Sequence, residues 1–224
     1  IYIFVKSLNI TVIFKNKFFL LLILLYLPIK GFATNLKVGL HSAIGFSTIS
    51  ATNAPREFNI GKGFLPGFKF GLSSEFILYN NYNIVTELNF SSKGYSNIFS
   101  GIRVRSHYNY LVIPIKLKTR ISEQINFQFG PYIGFAIKEY IKNNISDEKV
   151  YGSIGNSINN EPPDTLKPFD FGLKTGIAYE FENFSIGCYL SYGILNTRPG
   201  GGIGSSIRNL STEIRVHYNI LNKE

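Results

Sequence analysis

From Phe169 to Phe181 every second side chain (Phe169, Phe171, Leu173, Thr175, Ile177, Tyr179, Phe181) falls on one face of an extended strand. Asp170, Gly172, Lys174, Gly176, Ala178 and Glu180 fall on the other. After Glu182-Asn183 the pattern returns, with Phe184, Ile186, Cys188, Leu190, Tyr192 and Ile194 alternating with Ser185, Gly187, Tyr189, Ser191 and Gly193. The two segments predict a hairpin with one aromatic-rich apolar side and one side of glycines and charges. So long an apolar face is no ordinary solvent face, and a hydrophobic core does not accept Asp170, Lys174 and Glu180 unpaired. Lipid outside and a small, polar, packed lumen inside reconcile both faces.

The same alternation predicts six further strands. Leu36, Val38 and Leu40 oppose Lys37, Gly39 and His41 in a strand from Leu36 to about Ile49. In Phe64 to Tyr79, Phe64, Pro66, Phe68, Phe70 and Leu72 oppose Gly67, Lys69, Gly71, Ser73 and Glu75. In Tyr82 to Ser92, Ile84, Thr86, Leu88 and Phe90 oppose Glu87, Asn89 and Ser91. His107 to Ile121 sets Leu111, Ile113, Ile115 and Leu117 against Tyr110, Val112, Pro114, Lys116 and Lys118, with a bend or bulge expected at Pro114. Ile125 to Tyr140 sets Phe127, Phe129, Pro131, Ile133, Phe135 and Ile137 against Gln128, Gly130, Tyr132, Gly134 and Lys138. Ser206 to Ile220 closes the series, with Leu210, Thr212, Ile214, Val216, Tyr218 and Ile220 opposite Ser211, Glu213, Arg215 and His217.

Short and long links take turns along the chain. Asn80-Asn81, Ser122 to Gln124 and Glu182-Asn183 are tight, whereas 50–63, Lys93 to Ser106, Lys142 to Lys167 and Thr197 to Ser205 read as long polar loops. The fold class expected is all-β: an eight-stranded antiparallel up-and-down transmembrane β-barrel with a polar packed lumen. Its long loops are expected to be extracellular, its short turns periplasmic and both termini periplasmic, in the outer membrane of a bacterium.

Ahead of the strands, Lys15-Asn16-Lys17, the apolar run Phe18 to Leu27 and the small residues Gly31 and Ala33 have the order of a secretory signal peptide cleaved after Ala33. The expected organisation is a leader over 1–33 and a barrel over 34–224. With no methionine in the chain, the first residues are expected to be a fragment or a translated upstream extension, and Ile1 to Phe14 are given no structural meaning. Ten apolar residues are too few for a transmembrane helix. The formal charge of the 224 residues is +9, and removing Lys6, Lys15, Lys17 and Lys30 leaves +5. So modest an excess, with no RNA-binding motif, excludes nucleic acid as the expected partner. The single cysteine, Cys188, excludes an internal disulfide and a cysteine metal cluster, and on the lipid face it acts as a small hydrophobe.

Inward-facing charge is the most informative polar feature: Lys69, Glu75, Glu87, Lys116, Lys118, Lys138, Asp170, Lys174, Glu180, Glu213 and Arg215. An eight-stranded barrel is only wide enough for side chains to fill, so these are expected to pair across strands and plug the lumen. An ion path or a catalytic carboxylate pair is the alternative. His41, His107 and His217 lack ligand spacing, so no metal site, cofactor or catalytic set is expected. Ser211 lies six residues from His217 on one strand, roughly 20 Å away; serine–histidine pairs across strands stay open. Pro199-Gly200-Gly201-Gly202-Ile203-Gly204 lacks the Lys-Ser/Thr ending of a phosphate loop and reads as a flexible loop. Arg56, Arg103, Arg105, Lys142 and Lys149 are candidates for contact with lipopolysaccharide phosphates.

Four motifs in order resemble the PorT-like outer-membrane β-barrel family of Bacteroidetes-type bacteria. Glu87-Leu88-Asn89-Phe90-Ser91-Ser92-Lys93-Gly94 resembles its E-L-x-(Y/F)-x-x-K-G strand end, and Tyr110 to Lys118, through Pro114, its Y-L-x-I-P-(L/I)-x-x-K strand. Gly130-Pro131-Tyr132-Ile133-Gly134 resembles its G-P-Y-x-G strand, and Asp170-Phe171-Gly172 its D-F-G opening. A kinase magnesium site is excluded for that tripeptide, since the other kinase motifs are missing. Such barrels often end on an aromatic residue, whereas this chain ends Leu221-Asn222-Lys223-Glu224, with Tyr218 the candidate substitute. The resemblance implies a link to protein secretion or envelope biogenesis. The expected function is therefore non-enzymatic, a monomeric structural or interaction module in contact with outer-membrane lipid, lipopolysaccharide and other envelope proteins. A small solute channel, a lipid-modifying enzyme and a soluble lipocalin-like barrel are the alternatives.

Overall fold

A computed structural model describes residues 36–53, 56–79, 81–145, 148–159, 161, 163–199 and 206–223. The leader expected over 1–33 and residues 200–205 of the glycine-rich loop lie outside the described residues, as does Asn80 of the first tight turn. The strands are β1 (Leu36–Thr52), β2 (Leu65–Tyr79), β3 (Tyr82–Phe99), β4 (Ile102–Arg120) and β5 (Ile125–Asn143). They continue with the two-residue β6 (Val150–Tyr151), then β7 (Phe169–Glu180), β8 (Phe184–Gly193) and β9 (Ser206–Lys223). A single helical turn, α1 (Arg56–Gly61), interrupts the link between β1 and β2.

All strand pairings are antiparallel, and the order β4-β3-β2-β1-β9-β8-β7-β5 is closed by a β4–β5 pairing into a ring of eight, with β6 appended to β5. Stepping around the ring through paired residues gives Leu36, Phe76, Ile84, Leu117, Phe129, Thr175, Leu190, Thr212 and then Phe46. The circuit returns to β1 displaced by ten residues, 46 − 36. With a rise of about 3.3 Å and a strand spacing of about 4.7 Å, that stagger tilts the strands by about 40°.

Closure puts the apolar faces outside. Ile115 is 52% exposed while its neighbour Lys116 is 1% exposed, and Leu173 is 38% exposed beside Lys174 at 1%. A soluble barrel requires the reverse. Phe68, Phe70 and Phe90 stack on one another on the outer wall, with ring centroids 5.2 to 6.2 Å apart. At the turn end Tyr179, Phe181 and Phe184 form an aromatic run, with Phe181 and Phe184 stacked at 4.1 Å. Aromatic side chains at this level match the interface girdle of a membrane barrel.

Three expectations need correction. The segment Lys93 to Ser106 is not a loop: β3 continues to Phe99, β4 begins at Ile102, and the turn is only Ser100 (φ 48°) and Gly101 (φ 82°). Two consecutive left-handed residues suit the right-handed twist of a hairpin. The strict alternation of short turns and long loops therefore fails at this link, and the hairpin projects beyond the ~11 residues needed to cross the bilayer. Second, the bulge expected at Pro114 sits elsewhere. Around Pro114 the ladders lapse without a change of register, whereas the register shifts where Asn109 pairs with Lys138 and Tyr110 with Ala136, leaving Ile137 extra. Third, that bulge overturns the placement of Lys138. One unpaired residue reverses the alternation beyond it, so Lys138 faces out and Glu139, 4% exposed, faces in.

Candidate functional site

The lumen is filled by three layers of ion pairs beneath an aromatic cap. At the turn end Lys118 Nζ donates to both carboxylate oxygens of Glu75, at 2.8 and 2.7 Å, and also pairs with Glu180. Asn83 Nδ2 donates to the same Glu75 carboxylate at 2.5 Å. In the middle layer Glu87 accepts from Lys116 Nζ and Arg215 Nη1, each at 2.5 Å, and from Asn89 Nδ2 at 2.9 Å. Glu213 accepts from Lys174 Nζ and Arg215 Nη2, each at 2.7 Å, and pairs with Lys69 across β1. The Tyr189 ring lies among three of these cations, with Arg215 Cζ at 4.5 Å, Lys116 Nζ at 4.9 Å and Lys174 Nζ at 5.1 Å from its centroid. The ring lies flat against Gly176, where an added Cβ would fall 2.1 Å from Tyr189 Cδ1.

The loop-end layer centres on Asp170. Its Oδ2 accepts from Asn209 Nδ2 at 2.9 Å and Tyr132 Oη at 3.1 Å, with Lys93 Nζ at 3.4 Å. Lys93 also sits over the Tyr110 and Tyr132 rings, at 5.3 and 4.8 Å. Above it Tyr108, Tyr110, Val112, Tyr132 and Leu166 form the apolar cluster of the described residues, joined by Tyr95, Ala136 and Ile154. Leu166 comes from the longest loop, whose two limbs are held together by Ile154↔Leu166 pairing and by Ser153 Oγ donating to Asp164 at 2.7 Å, and which is tied to β5 by Thr165 Oγ1 donating to Glu139 at 2.5 Å. Phe58 of α1 packs edge-on against Tyr95, so the first and longest loops both close this end.

Six buried cations (Lys69, Lys93, Lys116, Lys118, Lys174, Arg215) thus meet five carboxylates (Glu75, Glu87, Asp170, Glu180, Glu213) in these layers, and a sixth inward carboxylate, Glu139, accepts from Thr165. Among the residues expected in the lumen, Lys138 alone falls outside, and its ammonium rests over Tyr151 at 4.6 Å. Lys93, expected in a loop, stands in the Asp170 layer instead. The remaining motif positions are wall residues: Gly94, Pro114, Gly130, Pro131, Gly134 and Gly172 lie on β3, β4, β5 and β7. One cavity toward the turn end, of about 60 Å³, is bordered by Glu75, Lys118, Glu180, Arg215, His217 and Tyr189, room for two or three waters; a wider recess opens beside it between Arg120, Gln124, Glu180 and Phe184.

One contact was not foreseen. Ser73 Oγ and His217 Nε2, on β2 and β9, lie 2.7 Å apart across β1. Gly39 stands between them, and an added Cβ there would fall 2.3 Å from His217 Nε2. A glycine flanked by two polar inward positions was the available signal. Serine and histidine at this distance are two parts of a hydrolytic set, and both border the turn-end cavity. Among the described residues no group of three or more His, Cys, Asp or Glu side chains could hold a metal ion.

With the geometry in place, comparison identifies the lineage. Residues 30–198 match the family described as outer membrane protein beta-barrel domain, well over half of the 224 residues. The chain belongs to this family. It is an integral β-barrel of the bacterial outer membrane, which accounts for apolar side chains outside and ion pairs within. No curated protein matches it. Among solved structures, Neisserial surface protein A is similar at 10% identity and TM-score 0.47, covering 82% of this chain and 97% of that one. Ail, the attachment invasion locus protein of Yersinia pestis, is similar at 11% identity and TM-score 0.45, covering 82% and 98%. OprG of Pseudomonas aeruginosa is similar at 11% identity and TM-score 0.36, covering 84% and 96%.

Proposed function

We propose that this barrel is a non-enzymatic, non-conducting module of the outer membrane, whose work is done by its loop end in contact with lipid and other envelope components. The observation that carries the proposal is the filled lumen. A solute must break the Asp170 layer, the Glu87–Arg215–Glu213 layer and the Lys118 layer in series, and displace Leu166 from the tyrosines above them. Each break leaves a buried charge without its partner, at several kcal/mol. In planar bilayers the refolded protein is expected to give no steady single-channel current in molar salt; reproducible conductance steps would overturn the proposal.

Further parts of the proposal rest on sequence. Residues 1–33 are a leader removed after Ala33, and the barrel acts as a monomer with both termini in the periplasm. The tight turns at 121–124 and 181–183 and the larger loop-end structures support that orientation, since such barrels enter from the periplasm. The four ordered motifs support a PorT-like affiliation and, with it, a role linked to secretion or envelope biogenesis. Protease cleavage of the 144–168 loop in intact cells tests the orientation: cutting without lysis is expected, and cutting only after lysis would reverse it.

A further inference from the structure

Just beyond the apolar band, one sector of the outer wall is basic. On β5 the outward residues Phe127 to Ile137 span ten residues, about 33 Å of strand and about 25 Å of height at the tilt found above, the height of a barrel's lipid-facing band. Lys138, Tyr140 and Lys142 follow on the same face, roughly 3, 8 and 13 Å above Ile137. Each is paired across to an outward residue of β4: Lys138 with Asn109, Tyr140 with His107, and Lys142 with Arg105. A leaflet's headgroup layer is about 5 to 7 Å deep, so the Lys138 row lies within it and the Tyr140 row at its edge, while the Arg105–Lys142 row stands about 6 Å above it, a distance that an extended Arg or Lys side chain spans.

Two features set this sector apart from ordinary solvated charge. Arg105 and Lys142 are like charges directly opposite each other, an arrangement that destabilises a strand pair unless an anion lies between them. Lys149, brought back by the β5–β6 pairing, adds a third cation over the Tyr140 ring at 5.2 Å, and His107 is stacked on the other ring contact at 4.5 Å and 8°. The second feature is the bulge. With Ile137 extra, the base at 138 faces the lipid and the acid at 139 turns inward onto Thr165. The distortion clears the outer wall of its one carboxylate at this height on β5.

We propose that Arg105, Lys142 and Lys149, stiffened by the His107–Tyr140 stack, bind the phosphate groups of an anionic glycolipid in the leaflet that surrounds the loop end. The proposal rests on the loop end lying at a membrane surface, but not on which way that end faces. Arg105 and Lys142 supply the two-sided charge, Lys149 closes the site from above, and Lys138 sits at the acyl boundary beneath it.

The test uses the refolded full barrel in detergent, titrated by native mass spectrometry with a bisphosphorylated glucosamine glycolipid and, separately, with phosphatidylcholine. Each cation near an anionic surface contributes a factor of about five in binding. Arg105→Gln/Lys142→Gln is therefore expected to weaken glycolipid binding about 25-fold and to leave phosphatidylcholine unchanged. Lys62→Gln/Arg198→Gln, removing equal charge elsewhere at the loop end, is expected to change neither. Lys142→Gln alone, with about a five-fold loss expected, serves if the double variant does not fold. Equal losses in both double variants, or no loss in the first, would overturn the proposal. Displacement of the glycolipid by millimolar inorganic phosphate would also overturn it, in favour of a soluble anion. These outcomes are independent of the conductance and cell-surface protease results, so the two proposals fail separately.

Discussion

Replacing Glu87 by glutamine keeps the shape of the middle layer and removes its charge. Arg215 retains Glu213 at 2.7 Å, but Lys116 is left with neutral partners, among them the Gln128 carbonyl at 2.6 Å and the Tyr189 ring at 4.9 Å, in a site where it is 1% exposed. Breaking a buried pair from one side costs about 3–5 kcal/mol, and the surviving partner of Arg215 favours the lower end, about 3 kcal/mol. With a urea dependence of about 3 kcal/mol per molar, the unfolding midpoint in lipid vesicles should fall by about 1 M. The chain has 14 tyrosines and no tryptophan, so unfolding is best followed by the heat-modifiable electrophoretic shift together with tyrosine emission. Glu87→Gln/Lys116→Met removes the stranded cation as well and should recover about 2 kcal/mol, because deleting both partners is far less costly than deleting one. About 1 M salt should leave the deficit unchanged, since buried pairs are weakly screened. A loss below about 1 kcal/mol, or no recovery in the double variant, would refute the idea that this layer holds the wall together.

Cys188 lies on the outer face of β8, so in vesicles it is expected to resist a charged maleimide and to react after denaturation; rapid labelling of the folded protein would place that face in water. Gly39→Ala should displace His217, break its contact with Ser73 and cost about 1–3 kcal/mol, read as a lower urea midpoint. Deleting Ile137 removes the bulge while leaving Ala136 inward and Lys138 outward, so the variant should still fold, whereas deleting Ile133 forces the face reversal into the band itself and should abolish the electrophoretic shift. Leu166→Asp should loosen the loop end without producing conductance, because the three charged layers beneath it remain; protease cutting near 166 would increase while bilayer current stays absent.

Much of this barrel was legible because alternation is a local signal. Which way Phe171 or Lys174 points depends on its neighbours in sequence, and lipid on one side enforces the choice at every position of the band. That signal ends where the lipid ends. The hairpin of β3 and β4 beyond Ser92 stands clear of the apolar band, so Ser96, Arg103 and Arg105 carry no apolar stripe and resemble a loop until the Ser100-Gly101 turn is seen to need only two residues. Lys138 was misplaced for a related reason: one extra residue at Ile137 reverses the alternation, and a bulge leaves no mark in composition. The charges of the lumen could be named from the sequence, but their partners could not. Lys69 meets Glu213 and Lys174 meets the same carboxylate from the opposite side only because four successive registers, from β2 through β1, β9 and β8 to β7, bring the three to one level, a sum that no single strand encodes. The registers therefore decide which ions meet, and the ions in turn penalise a slipped register. A shift of one pair moves Glu213 to the lipid face, so the network fixes the geometry that created it.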